Sequence, residues 1–246
     1  YHDGLTDLAN RNCFHERLTM AVERSRTDAR SLFAVLYMDL DRFKLVNDSL
    51  GHAAGNELLR IVAQRLRSCV RPVDLVARLG GDEFAILLEG LDDGQVGRQL
   101  AQRVHDTVSA PTRVLGTDVL IGASIGLTFS DMAYRTAEEI LRDADIAMYE
   151  AKGGGRGRVA LFDRTMHERV AQKLALEADL HQAIGEGKLT LQFQPIFALD
   201  PQRLSGFEAL VRWVHPTRGP VSPAVFVALA EESGIIEALT DWVIEQ

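Results

Sequence analysis

The chain has 246 residues, of which 46% are hydrophobic and 25% charged; that reads as a soluble globular protein able to bury a core without covalent staples. Its formal net charge of −8 argues against binding DNA or RNA polymers, which want a basic face, but not against a single nucleotide whose phosphates are neutralised locally. Only Cys13 and Cys69 are present, which fits neither a disulfide framework nor a zinc site and points to a reducing, cytoplasmic setting.

Tyr1-His2-Asp3-Gly4 is no signal peptide. It starts inside a motif, so preceding sequence is expected. Asn10 to about Arg26 has helical spacing, with Phe14, Leu18 and Val22 on one face. Leu32 to Leu40 is an apolar run of strand formers that ends at Asp39-Leu40-Asp41. A short helix through Asn47 and then Gly51 follow, and Asn56 to Cys69 reads as a helix lying on a sheet. Leu75–Leu79 and Phe84–Leu88 are strands joined by Gly80-Gly81-Asp82-Glu83. Glycine accepts the positive φ of tight hairpin turns, so this is a hairpin signal. Gln95 to Val108 is a helix, and Val119 to Phe129 a strand containing Gly122 and Gly126. Thr136-Ala137-Glu138-Glu139 matches a capping box, opening a helix that runs to Lys152 and stops at Gly153-Gly154-Gly155. A polar helix spans about Arg164 to Gly185. Strands return at Leu189–Phe197 and Leu204–Val214. No apolar run reaches the roughly 20 residues that a membrane helix needs.

Two features carry chemistry. At the hairpin tip, Gly80 and Gly81 let another molecule approach the backbone, and Asp82 and Glu83 put like charges together, which is unfavourable without a cation. Alone, this tip is also a routine turn. The second is Asp39, in line with the apolar run Ala34–Met38, whereas Asp41 reads as a helix N-cap. Acids from two strand ends make a hard-oxygen site of the kind that holds magnesium, with substrate phosphates completing the shell.

Gly80-Gly81-Asp82-Glu83-Phe84 is similar to the signature of the GGDEF family of diguanylate cyclases. Asp3–Arg11 resembles that family's opening motif, Asp39–His52 its metal, phosphate and base segment, and Asp145–Lys152 with Arg156 its closing helix. The resemblance covers about residues 1–162 and implies an α+β fold like the nucleotide cyclase and polymerase palm domains, with a central, mostly antiparallel sheet flanked by helices. It implies that Asp39 and Asp82 ligate Mg²⁺ or Mn²⁺, assisted by the Leu40 carbonyl and Glu83. Asp82, with Glu83 as rival, would accept the ribose 3′-hydroxyl proton. Arg42 and Phe43 would offer backbone N–H groups, and Lys44, Lys152 and Arg156 side chains, to the phosphates. Asn47 and Asn56 would read guanine, with His52 close by and Gly80 and Gly81 framing the site. The implied reaction joins two GTP molecules into cyclic di-GMP, releasing pyrophosphate, between two domains of a homodimer. Simpler roles stay open: Lys152 suits a helix C-terminus, Asn47 and Asp48 could stop a helix, and His52 could be a turn residue.

Position 56 usually carries Asp in the family. Asn56 has one acceptor oxygen where the carboxylate accepts two donors with charge assistance, a loss of roughly 1 kcal/mol, or several-fold in GTP affinity. Arg71-Pro72-Val73-Asp74 resembles the family's inhibitory product site, with Arg103 contributing from a neighbouring domain; a surface ion pair is the alternative. Gln192–Ile196 and Glu208–Trp213 resemble the opening of the EAL family of cyclic di-GMP phosphodiesterases, with Glu208 as metal ligand, Arg212 on phosphate and Gln194 on substrate. That family's barrel, of the triosephosphate isomerase type, typically needs about 250 residues. The expected organisation is a cyclase domain at 1–162, a linker helix at 163–187 and an incomplete EAL piece at 188–246 with exposed strand edges and no hydrolase activity of its own. The competing reading is a weakly active or inactive GGDEF module that senses GTP or cyclic di-GMP and regulates the phosphodiesterase.

Overall fold

The computed structural model describes residues 1–28, 32–200 and 202–246, which fall into two compact units, Tyr1–His167 and Glu168–Gln246. The first contains α1 (Arg11–Thr27), β1 (Leu32–Asp41), α2 (Phe43–Leu50), α3 (His52–Cys69), β2 (Leu75–Gly80), β3 (Glu83–Leu91), α4 (Gly94–Val108), a small hairpin of β4 (Thr112–Val114) and β5 (Thr117–Val119), β6 (Gly122–Phe129), α5 (Ala137–Gly153) and β7 (Val159–Leu161). The main sheet has the order β2-β3-β1-β6-β7. All its pairings are antiparallel except β6 with β7.

Period-two alternation in β1 explains both the apolar run and the location of the acids. Ala34, Leu36, Met38 and Leu40 join a core with Leu58, Val62 and Leu66 of α3 and Ala101 and Val104 of α4. Phe33, Val35 and Tyr37 face the other way, onto Phe14, Leu18 and Val22 of α1 and Ile140, Ala144 and Met148 of α5. A central strand buried on both faces reads as continuous hydrophobicity rather than as alternation. Asp39 and Asp41 continue the odd-numbered row and so stand at the α1/α5 face.

Gly126 fixes how closely α5 lies on the sheet. A Cβ there would come within 1.9 Å of the Ala144 carbonyl oxygen and 2.4 Å of the Met148 nitrogen. Glycine is therefore needed for the close approach of helix to strand. The start of α5 is held by Thr136, whose Oγ1 accepts from the Glu139 N–H at 3.3 Å. The returning bond differs from a capping box, because Glu139 Oε2 accepts from the Arg135 N–H at 2.7 Å rather than from that of Thr136.

Several boundaries differ from the sequence expectation. α2 runs past Asn47 to Leu50, and α3 starts at His52 rather than Asn56, so His52 is the first residue of a helix and not a turn residue. The strand expected over Val119–Phe129 is broken at Leu120-Ile121, where the chain passes from β5 into the main sheet. Both cysteines are free. None of the described helices is long and apolar enough to cross a membrane.

The second unit holds most of α6 (Thr165–Gly185), then β8 (Leu189–Leu199), β9 (Gln202–His215), β10 (Gly219–Val221), α7 (Pro223–Ser233) and α8 (Ile236–Glu245). Its three strands form an antiparallel sheet in the order β10-β9-β8; the described residues contain no closed barrel. Leu180 and Ala183 of α6 pack with Leu189, Trp213, Phe226 and Leu229, so this helix is part of a core. Phe193, Ile196, Phe197 and Phe207 are exposed.

Candidate functional site

The Gly80-Gly81 turn between β2 and β3 has φ of +148° and +52° at its two glycines, conformations that a side chain resists. It delivers Asp82 and Glu83 beside the end of β1. Asp39 pairs in register with Glu83, and the Leu40 N–H donates to the Asp82 carbonyl oxygen at 3.4 Å. Lys152, on the last turn of α5, donates from Nζ to Asp39 Oδ1 at 2.8 Å. Burial pushes the Asp39 carboxyl above the usual carboxylate range, Lys152 pulls it down, and the charges of Asp82 and Asp41 push it up again. The structure thus brings Asp39, Asp82, Glu83 and Lys152 together at the C-terminal end of the central strand β1. Among the described residues, no group of three or more His, Cys, Asp or Glu side chains is arranged to hold a metal ion.

A divalent cation nevertheless fits this donor set. Asp39 and Asp82 are hard-oxygen groups within electrostatic reach of each other, and magnesium is commonly held by one or two carboxylates with phosphates completing its shell.

Three residues to which the sequence motifs assigned no individual role join this patch. Arg11 donates from Nε to the Leu79 carbonyl oxygen at 3.2 Å, and its guanidinium lies 3.6 Å from Glu83 Oε2. Tyr37 is pushed well above its ordinary pKa by burial and then by the charges of Glu83 and Asp145. Asp145 is pushed up by desolvation first and by Glu83 second. Spacing was the available signal: Tyr37 is two residues before Asp39 on one strand face, and Asp145 seven before Lys152 on one helix face.

Asp41 is not the N-cap that its position implied. Its Oδ1 accepts from Ser124 Oγ at 2.7 Å and its Oδ2 from the Gly157 N–H at 2.9 Å. It ties β1 to β6 and to the glycine loop after α5. The N-cap of α2 is Arg42, in the left-handed region (φ 61°), and no side chain caps the helix. An uncapped helix start with a favourable dipole suits an anion. Phe43 is buried, whereas Lys44 is exposed. Asn47 lies against the backbone of Gly55, where a Cβ would fall 2.0 Å from its Oδ1. His52 and Asn56 are exposed on the first turns of α3. Arg156, also left-handed (φ 62°), lies with Arg42 on a cavity of about 540 Å³ that contains neither Asp39 nor Asp82. His105 and Ser109 line the same cavity, and His105 Nε2 and Ser109 Oγ are buried without hydrogen-bond partners.

Arg71 and Asp74 form a closed pair. Asp74 Oδ2 accepts from the Arg71 N–H at 2.9 Å and from Nε at 3.2 Å, and Oδ1 accepts from the Arg71 guanidinium at 3.0 Å and the Glu89 N–H at 3.3 Å. The Asp74 side chain is fully buried while that of Arg71 is half exposed, so the outward-facing group of this corner is the guanidinium. Arg71 also donates to the Glu89 carbonyl oxygen at 2.8 Å. Arg103 donates to the Cys69 carbonyl oxygen of its own domain at 2.5 Å. In the second unit, Gln194 pairs in register with Glu208. Arg212 has the same parity as Glu208, so all three stand on one face of the β8–β9 hairpin, and Arg212 donates to Gln192 Oε1 at 2.9 Å.

Residues 1–158 match the family described as diguanylate cyclase, GGDEF domain, and residues 177–246 match the EAL domain. The chain therefore belongs to the GGDEF family, in the GGDEF–EAL hybrid arrangement of bacterial cyclic di-GMP signalling. It is 40% identical over 245 residues to the bifunctional diguanylate cyclase/cyclic di-GMP phosphodiesterase MucR of Pseudomonas aeruginosa, covering all of this chain and 36% of that protein. Identity to the cyclic di-GMP phosphodiesterase NbdA of the same organism is 39%, again over all of this chain and 31% of that protein. The chain thus spans about a third of the length of these curated relatives. The solved GGDEF domain of YfiN (TpbB), also from Pseudomonas aeruginosa, is 42% identical with a TM-score of 0.66, covering 70% of this chain and 99% of that one.

Proposed function

We propose that residues 1–162 act as a diguanylate cyclase domain that condenses two GTP molecules into cyclic di-GMP and pyrophosphate. The observation that carries this reading is the convergence of Asp39 and Asp82 from two strand ends, with Lys152 beside them. A divalent cation held by Asp39, Asp82 and the Leu40 carbonyl, with Glu83 assisting, would supply charge neutralisation for the triphosphate and would acidify the attacking hydroxyl. The chain's own groups do the remainder. The backbone N–H groups of Arg42 and Phe43 at the uncapped start of α2, with Lys44, Lys152 and Arg156, hold the phosphates. Asn47 and Asn56 orient guanine, with His52 at the rim. Asp82, next to the open glycine turn of Gly80 and Gly81, accepts the proton of the 3′-hydroxyl, and Glu83 is its alternative. Positioning and charge neutralisation carry most of such phosphoryl-transfer chemistry. The attacking hydroxyl and the reacting phosphorus belong to two GTP molecules, so two domains meet face to face and a lone monomer is inactive.

Arg71 serves as the product-binding arm of an inhibitory site, and the buried Asp74 holds its guanidinium outward. Arg103 of a neighbouring domain would complete that site. In the EAL piece, Glu208, Arg212 and Gln194 share the face on which metal, phosphate and substrate would be met in a complete domain.

A second reading rests on Asn56, which weakens guanine recognition, and on the similarity of the whole chain to a phosphodiesterase. In it the GGDEF domain binds GTP or cyclic di-GMP and regulates the EAL domain. Incubating the purified chain with GTP and Mg²⁺ and separating the products by chromatography decides between them. Cyclic di-GMP and pyrophosphate in a ratio of one to two support the cyclase; GTP binding without turnover at any protein concentration supports the regulator.

A further inference from the structure

Lys152 Nζ sits 2.8 Å from Asp39 Oδ1 in a partly enclosed position, with the two side chains 29% and 15% exposed. The same ammonium is assigned above to the phosphates of GTP. A donor that it commits to Asp39 is withheld from the triphosphate, because all three leave from one nitrogen, and the flexible stem lets that nitrogen shift between the two. Of the carboxylates proposed above for the cation, Asp39 is therefore already engaged by a positive charge.

We infer that Lys152 is a placeholder cation, which masks Asp39 until a nucleotide arrives and then hands it over, so that divalent metal and nucleotide bind synergistically and metal alone binds weakly. This inference rests on the cyclase reading of the site and concerns its regulation. Two groups that compete for one carboxylate weaken each other, and a ligand that draws one of them away strengthens the other by the same coupling free energy. The triphosphate supplies that pull: it offers Lys152 several anionic oxygens in place of one and brings further oxygens to complete a cation's shell. After turnover, departure of pyrophosphate lets the ammonium fall back onto Asp39, so the empty site does not retain a metal ion. Gly126 makes this exchange local, because α5 is seated on β6 backbone to backbone and only the lysine stem needs to swing.

The test is Mn²⁺ binding followed by electron paramagnetic resonance, without any turnover. Without nucleotide, the Lys152→Met protein is expected to bind Mn²⁺ about fivefold more tightly than the parent, the range that a partly exposed ion pair carries, while Lys152→Arg stays as weak as the parent. With a non-hydrolysable GTP analogue, the parent should gain Mn²⁺ affinity and Lys152→Met should gain less. Equal or weaker Mn²⁺ binding by nucleotide-free Lys152→Met overturns the placeholder role. Adding Asp82→Asn separates the two ideas. If it does not weaken the nucleotide-dependent Mn²⁺ binding of the parent, the cyclase reading of the metal pair fails; if it does, and Lys152→Met is still no tighter, only the placeholder fails. Melting temperatures of all variants guard against loss of fold.

Discussion

Asp39, partly buried, and Asp74, fully buried, are both carboxylates paired with a basic side chain, yet the fold provides for them very differently. Asp74 has both oxygens filled by the Arg71 side chain and by two backbone N–H groups. Asp39 has Lys152 alone, and it faces the charges of Asp82 and Asp41. Saturated carboxylates hold a structure together, whereas an under-compensated one stores an unfavourable field that a ligand can relieve. The contrast separates a corner whose acid is filled by its own fold from a strand end whose acid is left with room for a ligand.

The contrast can be broken most sharply at Asp39. Asp39→Asn is expected to lower cyclic di-GMP synthesis by about 100-fold or more, since charge stabilisation by a metal site is worth several kcal/mol, while the protein becomes more heat-stable. The sign follows from linkage. A carboxyl raised in the folded state binds its proton more tightly there than in the unfolded chain, so its contribution to stability declines as pH rises above the ordinary value of 3.8. The melting-temperature advantage of Asp39→Asn should therefore grow from acidic toward neutral pH; a parent protein that is the more stable at neutral pH would contradict it.

Gly126→Ala attacks the same strand end through its support. The new methyl group would meet the Ala144 carbonyl, so α5 must lift, at a cost of about 1–3 kcal/mol. Calorimetry should show the lower melting temperature, and Mn²⁺ binding with nucleotide should weaken because Lys152 and Asp145 move with the helix. Asp74→Ala tests the saturated corner. Stripping two backbone N–H groups and a guanidinium of their acceptor is expected to cost about 1–3 kcal/mol with turnover at low product concentration little changed, whereas Arg71→Ala should abolish product binding with a smaller loss of stability. Undiminished cyclic di-GMP binding by Arg71→Ala in calorimetry would remove the corner from any regulatory role. The smallest effect is at the guanine end: Asn56→Asp should lower the KM for GTP several-fold, equivalent to about 1 kcal/mol, and an unchanged KM would show that position 56 does not read the base.

Much of the fold was legible because it follows from local rules. The β1 run, the hairpin at Gly80-Gly81 and the cap at Thr136 are each written within a few residues, by hydrophobic periodicity, glycine conformation and side-chain capping. The strand break at Leu120-Ile121 was not, since both residues are apolar and the interruption depends on where β6 must enter the sheet. Nor was the role of Asp41. An acid at a strand end and before a helix looks like a cap, and only tertiary structure brings Ser124 and Gly157 to it from over 80 residues away. The company of Tyr37, Arg11 and Asp145 with Glu83 was hidden for the same reason: sequence motifs name residues, but electrostatic company is decided by packing. The turn that presents Asp82 and the strand that presents Asp39 were visible separately, and their register is what makes them neighbours.

The strict alternation of β1 also limits how this segment can change length over evolution. Removing or adding one residue between Phe33 and Asp39 while the helices hold their seats would turn the carboxylate into the α3 layer, on the side of Leu58 and Val62, and send a methionine or leucine to the position beside Lys152. Substitutions within the strand can be absorbed one at a time, but indels there would have to come in pairs, so this stretch should tolerate drift in identity and almost none in count.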